Sequence, residues 1–412
     1  MSLKFVAEGE ALTLAREFDI TRPAAEFYRD PYPTYRALRN HSPVHRCADG
    51  SFFLTRYADL DLIYRDTRRF RSDKRREFAP KYGLDTPLYR HHTTSLVFND
   101  PPLHTRVRRL IAGALTPRAI RSMEPDLIRL VDDLLDRIED KRNFDLIDDF
   151  ASAIPVEVIG NLLRVPHADR APLRGWSLAI LGALEATLTP EQLARGHRAV
   201  EEFTDYLKTL VADRRRSLGD ESDVLSRLIR GEQDGERLTE EELLQNCIFL
   251  LNAGHETTTN LIGNGLHLLL THDAELARLR ADPTLIRSTV EECLRYESSN
   301  QLGNRTVAEP VEIGGIQMPA GTYLTLCIGA ANRDPTEFAD PERFDVGRQP
   351  NRHLAFGGGP HVCAGLALAR LEGQIAVGRM IQRFPRLRLD GDPVRGGRAR
   401  FRGFLSLPAA VS

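Results

Sequence analysis

Cys363 lies near the end of a glycine-rich loop that reads Phe-Gly-Gly-Gly-Pro-His-Val-Cys-Ala-Gly over residues 356–365. The three glycines and the proline exclude a helix from this loop. Good helix formers with helical apolar spacing follow, so we expect a helix to begin directly after the cysteine. The free N–H groups of a helix N-terminus favour a thiolate. A lone thiolate in such a loop suits a flat cofactor that needs one axial ligand.

A second stretch that could support chemistry lies inside a long predicted helix. Thr239 and Glu242 have the spacing of a capping box, which marks the start of a helix. The helical pattern continues to about Thr271, which gives a length of about 48 Å. Residues 247–251 are apolar on every face, so we expect this part of the helix to be buried.

The centre of this helix reads Ala-Gly-His-Glu-Thr-Thr over residues 253–258. Ala253 and Gly254 are small enough to let a flat ligand approach the backbone. The hydroxyl of Thr257 can donate to a carbonyl of the preceding turn and open the helix locally. Taken alone, the motif is equally consistent with a kink in a core helix.

Two pairs of charged residues have helical spacing elsewhere in the chain. Glu292 and Arg295 are three residues apart, and His104 and Arg108 are four apart, so each pair shares one helix face. Taken alone, such pairs are usually solvated surface residues.

The loop around Cys363 resembles the haem-binding loop of the cytochrome P450 superfamily. The motif at 253–258 is similar to the oxygen-binding groove of that family's I helix, and Glu292-x-x-Arg295 is similar to its K helix. The resemblance covers nearly the whole chain. It implies a mainly α fold with small β-sheets (α+β), a single domain over residues 1–412, and haem between the long I helix and the cysteine loop with its L helix.

The resemblance also implies roles for individual residues. Cys363 would be the metal ligand of haem b, and Glu256 and Thr257 would be the catalytic acid and alcohol. Charge-assisted hydrogen bonds from four donors would hold the two haem propionates. These donors are His104, Arg108, Arg305 and His361, and the residues against the ring are Ala253, Gly254 and Phe356.

The Glu292–Arg295 pair has a structural role in this family, and a further arginine completes it. The segment Pro-Glu-Arg-Phe over residues 341–344 makes Arg343 the first candidate, with Arg348 behind it. The planar guanidinium can bind a carboxylate bidentately, which lysine cannot do.

The resemblance implies a monooxygenase that inserts one oxygen atom from O₂ into a small organic substrate. Electrons from NAD(P)H would arrive through separate proteins, either a ferredoxin with its ferredoxin reductase or a flavodoxin-type donor. Arg106, Arg109 and Arg370 would offer positive charge where the donor docks.

Two alternatives remain open at this point. One is an enzyme of the same fold with peroxide-driven or non-oxygenating chemistry, although such relatives tend to lose the acid–alcohol pair that Glu256 and Thr257 retain. The other is a haem-binding sensor or carrier without turnover. NADH consumption in the presence of donor proteins discriminates between them.

With 412 residues, 42% hydrophobic content and a formal net charge of −2, the composition is typical of a globular protein. Acidic residues balance the arginines, which argues against nucleic-acid binding. Five scattered cysteines give neither a disulfide framework nor zinc spacing. The apolar runs are too short to cross a bilayer, and residues 1–10 lack an apolar leader. We therefore expect a soluble, cytoplasmic protein, and the resemblance implies a monomeric enzyme of bacterial type that acts in secondary metabolism.

By family position, substrate would touch four regions of the chain. They are the loop over 71–97, the helix near 176–184, the long helix around 246–253, and the segments 298–304 and 402–405. Residues 298–301 are polar, and the first loop is rich in hydrogen-bond donors, namely Lys74, Arg75, Arg76, Tyr82 and Tyr89. These groups favour a substrate with polar or anionic groups on an apolar frame, or they face water.

The remaining pattern predicts helices and short strands in a definite order. Residues 33–40 predict a short helix, and 44–45 with 51–55 predict a hairpin around Asp49-Gly50. The pattern from 101 to about 300 is helical. Four strands are predicted after it, at 311–313, 316–318, 323–328 and 401–408.

Overall fold

The computed structural model describes residues 6–141, 143–217, 224–230 and 238–411. Helices dominate these ranges, and short strands form small sheets, as expected for a mainly α fold. The first five residues of the segment predicted to lack an apolar leader lie outside the described ranges. In the part that is described, no helix combines the length and apolar character that a membrane span requires.

The first hundred residues alternate helices with strands. They form α1 (Glu8–Glu17), α2 (Ala25–Arg29), α3 (Tyr32–His41), β1 (Val44–Arg46), β2 (Phe52–Leu54), α4 (Tyr57–Arg65), β3 (Phe70–Arg71), α5 (Arg75–Tyr82) and α6 (Pro87–Thr94). The predicted short helix and hairpin are confirmed as α3 and the antiparallel pair β1–β2. Gly50 allows the turn between them because its φ is +84°, where other residues are strained.

The middle of the chain is helical, as predicted, with one exception. Its elements are α7 (Leu103–Ala114), α8 (Pro117–Glu139), β4 (Asn143–Asp145), α9 (Ala153–Leu162), α10 (Leu173–Gly182), α11 (Pro190–Arg216), α12 (Val224–Arg230), α13 (Glu240–Thr271), α14 (Asp273–Ala281) and α15 (Ile286–Tyr296). The exception is β4, which is too short to leave a clear period in the sequence.

Strands return after α15. The elements are β5 (Leu302–Val307), β6 (Val311–Ile313), β7 (Ile316–Met318), β8 (Tyr323–Cys327), α16 (Ile328–Ala331), α17 (Leu366–Arg383), β9 (Arg388–Leu389), β10 (Val394–Arg395), β11 (Phe404–Ser406) and β12 (Pro408–Ala410). The prediction of one strand over 401–408 is wrong, because β11 pairs with β10 while β12 pairs with β4 and β9.

The largest sheet positions one wall of the site. Its strand order is β1-β2-β8-β5-β3, with β2 and β8 parallel and the other pairs antiparallel. Arg305 lies in β5 opposite Leu324 of β8, whose side chain is fully buried. Backbone pairing on both sides of β5 therefore fixes the position along the strand from which the Arg305 side chain extends.

Helix α13 connects two parts of the hydrophobic core. Thr239 and Glu242 make both bonds of the predicted capping box, and the helix runs to Thr271 as predicted. Its first half packs Cys247 and Leu251 into one apolar cluster, and its second half packs Ile262 into another. Burial of each large aliphatic side chain contributes about 1.5–3 kcal/mol, so both ends of the helix are anchored.

A buried ion pair ties α15 to the segment before the cysteine loop. Glu292 and Arg295 are both fully buried, and two bonds of 2.7 and 2.8 Å join them. The prediction that Arg343 completes the pair is wrong. Arg348 does so, with its Nε 3.1 Å from Glu292, while Arg343 contributes its backbone carbonyl, which accepts from both arginines. Arg343 lies in a tight turn that directs its backbone carbonyl toward the pair. The side chain of Arg348, five residues later, is long enough to reach Glu292.

Candidate active site

A cavity of about 340 Å³ is bounded by α13, β5 and the cysteine loop. Its wall is mostly apolar, with a few polar groups from several elements. Every residue predicted to contact the cofactor lines this cavity. These residues are His104, Arg108, Ala253, Gly254, Arg305, Phe356, His361 and Cys363.

The backbone of the cysteine loop holds its own shape. The N–H of Cys363 donates to the carbonyl of Phe356 at 2.9 Å, which closes the loop. Gly359 has a φ of +62°, and a Cβ there would collide with the carbonyl oxygen of Tyr64. The glycine is therefore required twice, by its backbone conformation and by the close approach of α4.

Opposing influences act on the Cys363 thiol. Helix α17 begins at Leu366, close behind the cysteine as predicted. Burial raises the pKa of the Cys363 thiol, while the N–H of Gly365 and the charge of Arg108 lower it. The side chain is thus poised to become a thiolate when a metal cation supplies further positive charge.

Four basic side chains form what we call the cation cluster: His104, Arg108, Arg305 and His361. The rings of His104 and His361 lie 3.9 Å apart between centroids. Burial, together with the neighbouring charges, lowers the pKa of His104 to about 4 and that of His361 to about 2. Both histidines are therefore neutral at pH 7, and the two arginines carry the positive charge.

The cation cluster fits the two carboxylates of haem. Nε2 of His104 and Nε of Arg305 are buried and have no hydrogen-bond partner among the residues that the structure describes. Buried donors of this kind are costly unless an acceptor satisfies them. A pair of propionates supplies such acceptors, together with the negative charge that the arginines require.

Asp100 organises one side of the cluster, although the sequence patterns mark it only as the start of a turn. Its carboxylate accepts the backbone N–H groups of Ser72 and Asp73 at 3.0 and 3.1 Å. The hydroxyl of Ser72 lies 3.3 Å from Nε2 of His361. Asp100 therefore holds the segment that orients His361, and only the tertiary fold reveals this connection.

The predicted groove of the long helix lines the same cavity. The hydroxyl of Thr257 donates to the carbonyl of Ala253 at 2.6 Å, which confirms the predicted bond to the preceding turn. Gly254 is also a packing residue, because a Cβ there would lie 2.6 Å from Cδ1 of Ile159 in α9. Small residues in this turn thus serve both the cavity and the approach of α9.

Glu256 does not line this cavity, so the structure separates it from Thr257. Its side chain is buried and pairs with Nη1 of Arg398 at 2.5 Å, while its second oxygen has no partner. Burial raises the pKa of Glu256 to about 7, and Arg398 opposes that rise. Glu256 lines a second cavity of about 40 Å³ with His255 and Arg174. The sequence shows Arg398 only as one member of an arginine-rich segment.

Three of the predicted substrate regions reach the main cavity, and the fourth is partly wrong. Leu181 of α10 and Leu184, two residues after that helix, line the cavity, and so do all residues of 299–304 except Gln301. Within 402–405, however, no residue lines this cavity, and Arg400 and Phe401 take that position. Arg402 instead donates to the buried carboxylate of Glu297 at 2.6 Å, so it serves the fold.

Of the hydrogen-bond donors of the first loop, Arg75 and Arg76 are exposed, as the solvated alternative predicts, whereas Lys74 and Tyr82 differ from both alternatives. Lys74 is buried, with Nζ 3.3 Å from Oγ1 of Thr306 and over the ring of Tyr323. The hydroxyl of Tyr82 donates to the carbonyl of Ala183 at 2.7 Å. For these two residues neither a pocket role nor a solvated role is correct, because they tie the loop to β5, to β8 and to the residue that follows α10.

The arginines expected at the donor-protein surface are partly neutralised. Arg106 pairs with Glu242, and Arg370 makes two bonds of 2.7 and 2.8 Å to Glu291. Because surface ion pairs cancel local charge, these two residues give little support to a docking site.

Comparisons with known proteins place the chain in a family. The cytochrome P450 family model matches residues 183–395. The chain is 38% identical over 372 residues to the biotin biosynthesis cytochrome P450 of Bacillus subtilis (strain 168), covering 89% of this chain and 92% of that protein. It is 40% identical over 384 residues to the cytochrome P450 monooxygenase PikC of Streptomyces venezuelae, covering 91% of this chain and 89% of PikC.

A solved structure agrees with the sequence relatives. The crystal structure of P450BioI in complex with hexadec-9Z-enoic acid ligated acyl carrier protein matches with a TM-score of 0.89 and 38% identity, covering 94% of this chain and 99% of that chain. The fold is that of the cytochromes P450, and the chain belongs to this family. It is a cytochrome P450 monooxygenase, and the family implies a haem iron cofactor.

Proposed function

We propose that this P450 inserts one oxygen atom from O₂ into a small organic substrate, with haem b bound through Cys363. One observation carries the proposal: a single cavity wall contains Cys363, the groove at Thr257 and the cation cluster. The thiol, the small groove and the carboxylate-binding donors are the features that a haem monooxygenase needs together.

The protein's own residues contribute distinct parts of the reaction. When bound, the haem supplies activation of O₂ at an iron with a thiolate ligand. The apolar wall excludes bulk water from the reacting centre. The Thr257 hydroxyl, anchored on the Ala253 carbonyl, can hold a water or a proton at the cavity face of α13. Glu256, with a pKa of about 7, can take up or release a proton on the other side of the helix at neutral pH.

Electrons come from separate proteins in this proposal. This part of the proposal is supported by the similarity to the bacterial P450s of Bacillus and Streptomyces, which are matched over 92% and 89% of their own lengths. NADH oxidation would be measured with a ferredoxin and its reductase, and in parallel with a flavodoxin-type donor. If neither donor system supports product formation, this part of the proposal is contradicted.

An apolar frame for the substrate is supported by the cavity and by one neighbour. Leu184, Phe249 and Leu250 line the wall. The similar P450BioI was solved with a fatty acyl chain on its carrier protein. We therefore propose a substrate with an extended apolar part.

The test of haem–thiolate binding is spectroscopic. The reduced carbon monoxide complex of the purified protein is expected to show the absorption band that names the family. Cys363→Ser should abolish this band. Cys327→Ser is the matched control, because Cys327 is fully buried and does not line the cavity. A wild-type protein with only the band of a histidine or thiol complex would contradict the proposal.

A further inference from the structure

One part of the cavity wall is polar. We call it the polar corner and define it as His92, Ser299, Asn300 and Arg400, all of which line the cavity. His92 and Ser299 are buried, and within the described part of the chain Nε2 of His92, Oγ of Ser299 and Oδ1 of Asn300 have no hydrogen-bond partner. Three such orphaned atoms beside an arginine in a mostly apolar cavity need an explanation.

Backbone pairing places these residues side by side. Asn300 forms a β-bridge with Phe401. The N–H of Gln301 donates to the carbonyl of Arg400 at 2.8 Å, and the N–H of Arg402 donates to that of Ser299 at 2.9 Å. The two segments therefore form one short antiparallel wall, in which Arg400 lies opposite Gln301 and Asn300 lies opposite Phe401.

Among the described residues, no carboxylate pairs with the guanidinium of Arg400. Its Nη1 donates to the carbonyl of Leu302 at 2.9 Å, and its Nε is buried without a partner. The carboxylate of Glu185 accepts the backbone N–H of Arg400 at 3.2 Å and that of Ala399 at 3.0 Å. Among the residues that line the cavity, Glu372 alone carries a carboxyl group, and burial raises its pKa to about 8. Glu372 is therefore neutral at pH 7.

The surroundings of Arg400 are rich in positive charge. Burial lowers the pKa of Lys74 to about 7 and that of Lys81 to about 8, and the charge of Arg400 adds to both shifts. The pKa of His92 is also lowered, first by burial and further by Lys81 and Arg400. Of these groups, Arg400 is the cation that reaches the cavity. Glu77 opposes the shifts of both lysines, and its carboxylate lies 3.9 Å from Nζ of Lys74, but it does not line the cavity. An anion bound at Arg400 would offset the remaining repulsion among these cations.

We propose that Arg400 binds a carboxylate of the substrate, with Asn300 and Ser299 beside it, and that the substrate is an organic acid with an apolar body. The guanidinium fork suits a carboxylate, and the apolar wall near Leu184 and Phe249 takes the remainder of the molecule. This inference rests on the proposed function, since it names the substrate class of the same cavity.

Calorimetric titration of the haem-loaded protein tests the inference. The probes are dodecanoate, hexadecanoate and the cyclic acid abietate, each beside its methyl ester, at about pH 7.5, where the acids are ionised. The wild type should bind at least one acid about tenfold more tightly than its ester, because the ester loses a charge-assisted contact. Arg400→Gln should remove this preference and change ester affinity less than about twofold.

Two further variants sharpen the result. Arg400→Lys keeps the charge but loses the fork, so acid affinity should fall several-fold while ester affinity stays constant. If circular dichroism shows that Arg400→Gln does not fold, the affinities of Arg400→Lys decide whether Arg400 binds the carboxylate. Arg90→Gln is the matched control, because Arg90 is exposed on α6 and does not line the cavity. It should bind every probe as the wild type does.

Several outcomes would overturn the inference. They are equal affinity of the wild type for every acid and its ester, or equal weakening of acid and ester in Arg400→Gln. Loss of haem from Arg400→Gln, with unchanged acid affinity in the loaded fraction, would show that Arg400 serves haem retention instead. The proposed function fails separately: an acid preference without product, given NADH and donor proteins, would contradict oxygen insertion and leave the acid site standing.

Discussion

Thr257 and Glu256 are neighbours in the sequence, yet their side chains serve different cavities. The Thr257 hydroxyl is fixed at the main cavity by its 2.6 Å bond to Ala253, whereas Glu256 points to Arg398. Successive helical residues are rotated by about 100°, so this separation follows from helix geometry. The two residues therefore have to be tested by different measurements.

For Thr257→Ala we expect uncoupling. Without the hydroxyl, the cavity face of α13 lacks the group that positions the donated proton. Electrons from NADH should then reduce O₂ to hydrogen peroxide, and less product should form. Product per NADH should fall about tenfold or more, with haem content and substrate affinity unchanged. Thr271→Ala is a matched control, because Thr271 makes the same kind of bond, to the carbonyl of His267 at 2.8 Å, and lines neither the main cavity nor the cavity of Glu256. Unchanged coupling in Thr257→Ala would favour peroxide-driven or non-oxygenating chemistry.

For Glu256→Gln we expect slower turnover and an altered pH dependence of stability. Burial raises the pKa of Glu256 from 4.5 to about 7, so the folded wild type binds an extra proton between these values. Wild-type stability is thus lost as pH rises through this window, and the glutamine variant does not share the loss. The variant should gain about 3 kcal/mol relative to wild type from about pH 5 to about pH 8. Urea unfolding across this range measures it, and a pH-independent difference would refute the assignment.

At the scale of elements, local signals predicted what local forces determine. The capping box fixed the start of α13, and glycines fixed the shape of the cysteine loop. Partners between distant segments were not predictable in the same way. The sequence does not distinguish Arg343 from Arg348 as the partner of Glu292. Only the three-dimensional path of the chain places the Arg348 guanidinium at that carboxylate. For the same reason Arg398 and Arg400, two residues apart, face different cavities.

Because Arg348 and not Arg343 pairs with Glu292, the two arginines should differ in their effect on stability. Arg348→Met removes one cation from the buried Glu292, and it also loses bonds to the carbonyls of Ala339 and Asp340 at 2.7 and 3.1 Å. Breaking such a network should cost about 2–4 kcal/mol in the free energy of unfolding. Arg343→Ala keeps the backbone carbonyl and should cost less than about 0.5 kcal/mol. Denaturant unfolding of both variants checks this, and the reverse order would restore Arg343 as the partner.

At the scale of the whole molecule, the cation cluster joins parts of the chain that are far apart in sequence. Helix α7 supplies His104 and Arg108, β5 supplies Arg305, and the cysteine loop supplies His361. Two guanidinium groups and two neutral histidines share this site, so a dianionic ligand links three elements at once. A ligand that binds the folded state alone stabilises it by mass action, so haem should raise the unfolding temperature of the protein.

Haem retention should therefore depend on this cluster as well as on Cys363. Arg305→Ala and His361→Ala each remove a donor to a propionate, and a charge-assisted hydrogen bond contributes about 1.5–3 kcal/mol. Haem transfer to excess apomyoglobin should accelerate about ten- to a hundredfold in each variant. The thiolate band of the retained fraction should stay unchanged, because Cys363 is untouched. Arg352→Ala is the control, since Arg352 is exposed near the loop and its carbonyl, which accepts from Tyr57, remains. Equal transfer rates in all four proteins would remove the propionate assignment and leave the cluster with a purely structural role.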